Sequence, residues 1–261
     1  MAEYDAHADS YDALYTDYKE DIPFYVEEAR GAGSPVLELA CGTGRVAIPT
    51  AEAGIELVGL DSSPAMLEQF RARLPLLAAE VRDRITLHQA DMRDYDLGAE
   101  RFTLVTCPFR AFLHLLTIED QLAALHNAYR HLRPGGRLAL NFFNPSVTVI
   151  ARCLSTHWSA LRPIQEYIHP VSGNTVIVHL TSQHDVAEQI IRDFRIEDEI
   201  DGDGRVLQRT YKTLTVRWIY RYEFEHLLAR CGFEVEALYG DFDRRPFAQD
   251  LDELIWIARK R

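Results

Sequence analysis

Between residues 35 and 143 short apolar runs alternate with stretches of helical period. The runs 35–40, 56–61, 84–90, 102–107 and 137–143 read as strands. Val46, Ala47, Thr50 and Ala51 suit the packed face of a helix that Gly54 stops. Ser63 can cap another helix, with Pro64 at its first position. Thr117-Ile118-Glu119-Asp120 opens a third, with acids in the first turn. Its apolar residues Ile118, Leu122, Leu125, Tyr129 and Leu132 fall on one face, and Pro134-Gly135 ends it. Strands alternating with helices predict a parallel sheet covered on both sides. Ligands then sit outside the carboxyl ends of the strands, where Asp61, Asp91 and Pro108 all fall.

The pattern changes after Asn144-Pro145. Residues 160–217 lack helical period. Val176, Val178 and Leu180 alternate with polar neighbours, as do Ile190, Phe194 and Ile196. Val171-Ser172-Gly173-Asn174 marks a turn before the first run, and Asp201-Gly202-Asp203-Gly204 a hairpin turn before a third, Val206 to Val216. This predicts a small antiparallel sheet inserted in the α/β unit, with one apolar and one wet face. The tail returns to the first pattern. Phe224, Leu227, Leu228 and Cys231 make a helix face closed by Gly232, and 233–239 and 254–258 read as two last strands. The expected division is 1–151 plus 218–261 as one domain and 152–217 as the insertion. At the other end, Tyr4, Tyr11, Tyr15 and Tyr18 recur on one helical face, Pro23 breaks it, and a short helix carries Phe24 to Ala29. That segment reads as a cap over the sheet's ligand.

Charge narrows the partners. Asp and Glu total 40 against 28 Lys and Arg, a net charge of −12. Such a surface disfavours sequence-independent binding to nucleic acid or anionic lipid, so the expected partner is a small molecule. No apolar segment approaches the ~20 residues that span a bilayer. Cys41, Cys107, Cys153 and Cys231 have no metal spacing and read as reduced thiols. The N-terminus, with Glu3, Asp5 and Asp9, is acidic and lacks an apolar run, so no signal peptide is expected. A cytoplasmic protein, monomeric or homodimeric, is expected.

The chemistry is expected at Val36-Leu37-Glu38-Leu39-Ala40-Cys41-Gly42-Thr43-Gly44-Arg45, a strand running into a glycine turn and a helix. Two glycines let backbone approach a ligand, and free N–H groups at the helix start face it. Gly42-x-Gly44-x-x-Ala47 also fits the loose dinucleotide fingerprint. Glu38 opposes that reading, because a carboxylate attracts a cationic amino or sulfonium group and repels a pyrophosphate. Asp61 ends the next strand, where it can accept two ribose hydroxyls.

Glu38-x-x-Cys41-Gly42-Thr43-Gly44 resembles the first motif of class I S-adenosylmethionine-dependent methyltransferases. Gly59-Leu60-Asp61-Ser62-Ser63-Pro64-Ala65-Met66-Leu67 resembles their second, Gln89-Ala90-Asp91-Met92-Arg93-Asp94 their adenine-contacting turn, and Leu132 to Leu138 the turn into their fifth strand. The resemblance implies a Rossmann-like, seven-stranded, mostly parallel sheet. It implies S-adenosylmethionine as cofactor, S-adenosylhomocysteine as product, and a cradle of Tyr11, Glu38, Ala40, Gly42, Thr43, Gly44, Asp61, Ser62, Met66, Asp91, Met92 and Pro108. The insertion resembles that of sugar-amine and glycine-type N-methyltransferases, where the extra sheet covers the acceptor. In those enzymes a tyrosine and a histidine at the places of Tyr15 and His114 face the acceptor amine, which makes these two the catalytic candidates.

The loop Cys107 to Leu115 lacks the Asn/Asp-Pro-Pro-Tyr/Phe signature of nucleic-acid methyltransferases and lacks Asp and Glu, so no metal is expected. His169, His179 and His184 lie at no metal spacing. The expectation is methyl transfer to a nitrogen or oxygen of a small acceptor. A non-catalytic binding protein of the same fold and an NAD-dependent oxidoreductase remain as the other classes.

Overall fold

A computed structural model of the chain describes residues 3–154, 160–250 and 252–261. The first unit runs β1 (Val36–Leu39), α3 (Ala47–Glu52), β2 (Leu57–Asp61), α4 (Pro64–Arg73), α5 (Ala79–Arg82), β3 (Ile85–Gln89), β4 (Phe102–Cys107), α6 (Ile118–His131) and β5 (Leu132–Phe143). It is preceded by a 3-10 turn, Glu3–Ala6, by α1 (Ala8–Leu14) and by α2 (Ile22–Ala32). After α7 (Val147–Leu154) come β6 (Arg162–Ile168), β7 (Thr175–Asp185), β8 (Ile190–Ile200) and β9 (Val206–Arg217), then α8 (Arg221–Arg230), β10 (Phe233–Tyr239) and β11 (Glu253–Lys260).

The strands form two sheets, one seven-stranded in the order β10-β11-β5-β4-β1-β2-β3 and one four-stranded in the order β6-β7-β8-β9. Strands β1 to β5 pair in parallel, and β11 pairs antiparallel with both β5 and β10. Every residue of β1 and β2 is buried, as expected of parallel strands covered on both faces. The two-residue period then decides which layer each side chain joins. Leu37, Leu39, Val105 and Leu138 pack toward α6 and α8 with Leu125, Phe224 and Leu228. Val36, Leu104 and Ala139 pack toward α2 with Phe24 and Tyr25.

Three expectations change. Pro23 lies in the first turn of α2 and opens that helix, where its missing N–H costs nothing. Helix α6 ends at His131, three residues before Pro134, because Leu132 already pairs with Phe102 as a strand residue. Its buried face also includes polar residues. Gln121 donates to Leu115 O at 2.9 Å, and His131 Nδ1 meets Asn127 O at 2.8 Å while Leu97 N donates to His131 Nε2 at 3.0 Å. These partners remove the cost of burying polar groups, and Ile118 is left 42% exposed.

The third change concerns the inserted sheet, which gains β6 as an unanticipated strand. Its α1-facing side is not simply apolar. Tyr167, Val176 and Val178 pack with Leu14. Beside them Lys212 and Glu197 form a buried ion pair at 2.8 Å, and Lys212 also donates to Ser10 Oγ. Helix α1 is therefore held on the sheet by polar contacts as well as apolar ones. The Asp201–Gly204 turn forms as expected, with Gly204 N bonded to Asp201 O.

Candidate active site at the carboxyl ends of the strands

The turn after β1 carries three left-handed residues, Ala40, Gly42 and Gly44. Gly42 N donates to Asp61 Oδ2, and Ser63 N to Asp61 Oδ1, both at 2.8 Å. Thus Asp61 knits the two strand ends together with half of its carboxylate lone pairs. The rest stay available. Burial pushes the Asp61 carboxyl above its usual range, against the backbone N–H groups of Ser63, Gly42 and Ser62 that favour its charged form. The turn's N–H at Gly42 is spent on Asp61, and helix α3 starts only at Ala47. The Gly42 N–H is therefore engaged within the protein and does not face a ligand. Gly44 serves packing. A Cβ there would stand 2.6 Å from the Phe70 ring, and its φ is +90°.

A cavity of ≈ 480 Å³ opens where these ends converge. Nine expected residues line it: Tyr11, Ala40, Gly42, Asp61, Ser62, Met66, Asp91, Met92 and Pro108. His114 lines it too, joined by Tyr4, Arg93, Phe109 and Ala111, which were not among the expected cradle residues. Arg93 grips Asp91 through its side chain at 2.6 Å and reaches Asp120 at 3.0 Å. The Arg93 guanidinium and the Arg93 backbone N–H hold the Asp91 carboxyl below its usual range. No residue of 160–217 lines this cavity.

Glu38, Thr43, Gly44 and Tyr15 stand outside that lining. Thr43 is fully buried and donates to Asp12 Oδ1 at 2.7 Å, tethering the N-terminal segment. Ser63 Oγ makes a second tether to Asp5 at 2.6 Å. Tyr15 lies behind the wall, with its ring 4.9 Å from both Tyr11 and Phe109. His114 pairs with Tyr4: Nε2 and the Tyr4 hydroxyl are 3.2 Å apart, and the rings meet edge to face. The structure therefore brings His114 together with Tyr4 and sets Tyr15 one layer back.

Two arrangements hold the cavity's aromatic corner. Phe109 and Arg110 both have positive φ, 56° and 64°, and Asn141 anchors this unusual turn. Its Oδ1 accepts from Phe109 N at 2.9 Å and from the Tyr25 hydroxyl at 2.7 Å. The Arg45 guanidinium lies 4.7 Å from the Phe109 ring centre and is bound through both terminal nitrogens by buried Asp21. Asn141 sits inside an apolar strand pattern, and no period in the sequence marks it.

Burial raises the Glu38 carboxyl to about 8, opposed by Arg45 and reinforced by Asp21 and Asp61. Burial thus works against the charged form of this side chain, while the Arg45 guanidinium favours it. A stability effect follows. Between the ordinary value of 4.5 and about 8 the folded protein holds a proton that the unfolded chain has released. Stability contributed by Glu38 is complete below the lower value, declines as pH rises, and is gone above the upper one. Melting temperatures from pH 5 to 9 should show that decline in the native protein, and Glu38→Gln should flatten it. Parallel curves for the two proteins would contradict this account.

Comparison with known proteins agrees with the geometry. Residues 36–136 match the family model described as a methyltransferase domain. The chain is 39% identical over 243 residues to the dTDP-3-amino-3,4,6-trideoxy-alpha-D-glucopyranose N,N-dimethyltransferase of Streptomyces venezuelae, covering 90% of this chain and 92% of that one. It is 24% identical to the cypemycin N-terminal methyltransferase of a Streptomyces species, over 88% and 84% of the two chains. Among solved structures, the CcbJ methyltransferase from Streptomyces caelestis superimposes with a TM-score of 0.84 at 24% identity, covering 99% and 98%.

Proposed function

Since the chain belongs to the S-adenosylmethionine-dependent methyltransferases, we propose that it methylates the amino group of a small polar acceptor, an amino sugar being the favoured class. The observation that carries this reading is the 39% identity to an amino-sugar N,N-dimethyltransferase across nine-tenths of both chains. The net charge of −12 favours a small acceptor over nucleic acid. We take the place of action to be the cytoplasm, on the unpaired, buried thiols Cys41, Cys107 and Cys231; the thiol of Cys153 lies outside the described residues.

The cavity fits a nucleoside with a cationic tail better than a dinucleotide. Its turn has spent Gly42 N on Asp61, and Asp61 and Asp91 line its wall, a poor setting for a pyrophosphate. S-adenosylmethionine, when bound, supplies an electrophilic methyl on a sulfonium. Asp61 accepts the ribose hydroxyls with the lone pairs that Gly42 and Ser63 leave. Met92 and Asp91 flank the base. Ala40 and Pro108 shape the wall toward the acceptor, and the Tyr4–His114 pair stands there to orient the amine and remove its proton. Alignment in a site screened from water contributes several kcal/mol to such a displacement.

The test compares two acceptors that differ only in amino or hydroxyl at one sugar carbon, following S-adenosylhomocysteine formation and product mass. The amine is expected to give a kcat/KM on the order of 10²-fold higher or more, since a site built for one polar group rejects its replacement strongly. Equal or greater turnover of the hydroxyl compound would overturn the amine assignment.

A further inference from the structure

The inserted sheet supplies no wall of the main cavity, yet one of its side chains reaches the aromatic layer behind that wall. Arg195, on β8, is directed at Tyr15. Both terminal nitrogens of its guanidinium donate to the Tyr15 hydroxyl oxygen, each at 3.2 Å. Its Nε is buried and has no hydrogen-bond partner among the described residues. A half-buried guanidinium ordinarily faces a carboxylate. Here the nearby carboxylates are engaged elsewhere: Glu197 takes Lys212 at 2.8 Å, and Asp193 takes the Ser182 hydroxyl at 2.6 Å. A phenol oxygen is the guanidinium's partner instead.

That choice has a chemical consequence. A phenol oxygen has two acceptor positions and one O–H. The guanidinium occupies the accepting side of this oxygen with two N–H groups, and the O–H of Tyr15 is left to donate. The tyrosine ring is fixed at the same time, and it backs Tyr11 and Phe109, which line the cavity. Tyr4, Tyr11, Tyr15 and Arg195 also border one narrow gap beside the main cavity, closed on the sheet side by Leu214. Tyr4 and Tyr11 belong to both spaces.

We propose that Arg195 is a positioning residue: it holds Tyr15 as a hydrogen-bond donor and fixes the aromatic wall that Tyr15 backs. The inserted sheet thereby takes part in the reaction through one side chain that lies outside every cofactor motif. Tyr15, so held, supports the wall from behind and does not accept the acceptor's proton. The proton falls to the Tyr4–His114 pair. This rests on the reading that the acceptor binds beside Tyr4 and Tyr11.

A double-mutant cycle tests it, run with whichever acceptor, amine or hydroxyl, the native enzyme turns over. A preference for the hydroxyl compound would count against the amine reading and leave the cycle interpretable. Arg195→Met is expected to lower kcat/KM by roughly tenfold in the native background and by less than about twofold when Tyr15→Phe is already present. Arg195→Lys keeps a donor and should recover part of the loss. S-adenosylhomocysteine affinity should stay within about threefold in all variants, which separates positioning from misfolding. An Arg195→Met effect as large in the Tyr15→Phe background as in the native one would overturn the proposal. So would native kcat/KM in Arg195→Met, or a loss that Arg195→Lys does not relieve.

Discussion

Asp61→Ala should cost S-adenosylhomocysteine binding at least two orders of magnitude. The carboxylate is 8% exposed and faces the cavity at the end of β2. Hydrogen bonds to a charged group contribute roughly 1.5–3 kcal/mol each, so losing two ribose bonds amounts to about 3 kcal/mol or more, and each 1.4 kcal/mol is tenfold. The substitution also strands Gly42 N and Ser63 N, which both donate to Asp61. Asp61→Asn keeps one acceptor oxygen and should fall between the native protein and the alanine variant. Titration calorimetry gives the affinity, and a thermal melt separates ligand loss from a loosened strand end. Native affinity in Asp61→Ala would remove the ribose assignment.

His114→Ala should lower kcat by about 10²-fold, the lower part of the range for losing a general base, with S-adenosylhomocysteine affinity nearly unchanged. The imidazole lines the cavity, and its Nε2 lies 3.2 Å from the Tyr4 hydroxyl. Its removal leaves Tyr4 in place over the same wall. Tyr4→Phe should therefore impair turnover less than His114→Ala. A native kcat in His114→Ala would leave alignment as the whole mechanism. The original expectation joined His114 to Tyr15, and the observed pairing with Tyr4 changes which double variant is informative.

The inserted sheet also has to be judged by what it supports. No residue of 160–217 lines the main cavity, in keeping with a sheet that holds no cofactor motif. Even so, His7 Nε2 meets Thr213 O at 3.1 Å, Lys212 holds Ser10, and Arg195 holds Tyr15. Tyr4 and Tyr11, which do line the cavity, belong to the segment these bonds anchor. Replacing the sheet by a linker would free that segment, so its cost would extend beyond acceptor binding to the cofactor's cover.

Much of this molecule was written in local pattern. The runs around Leu37, Val58 and Val105 are strands because a parallel strand buried on both faces needs continuous apolar residues. Asp61 and Asp91 reach one rim because such a sheet places all its carboxyl ends together. Ser63 and Thr117 cap their helices, accepting from Met66 N and Asp120 N, because capping depends on residues three apart. Each of these needs only neighbours in sequence or a rule of topology. What required the tertiary structure is long-range and polar. Gly44 is glycine because of Phe70, Asn141 matters because of Phe109, and α6 buries Gln121 because Leu115 O awaits it. The Glu38 carboxyl is raised because burial outweighs the pull of Arg45. Arg195 and Tyr15 meet across 180 residues. Periodicity reports which face is apolar; it carries no record of which distant partner satisfies a buried polar group, and only the packed chain decides that.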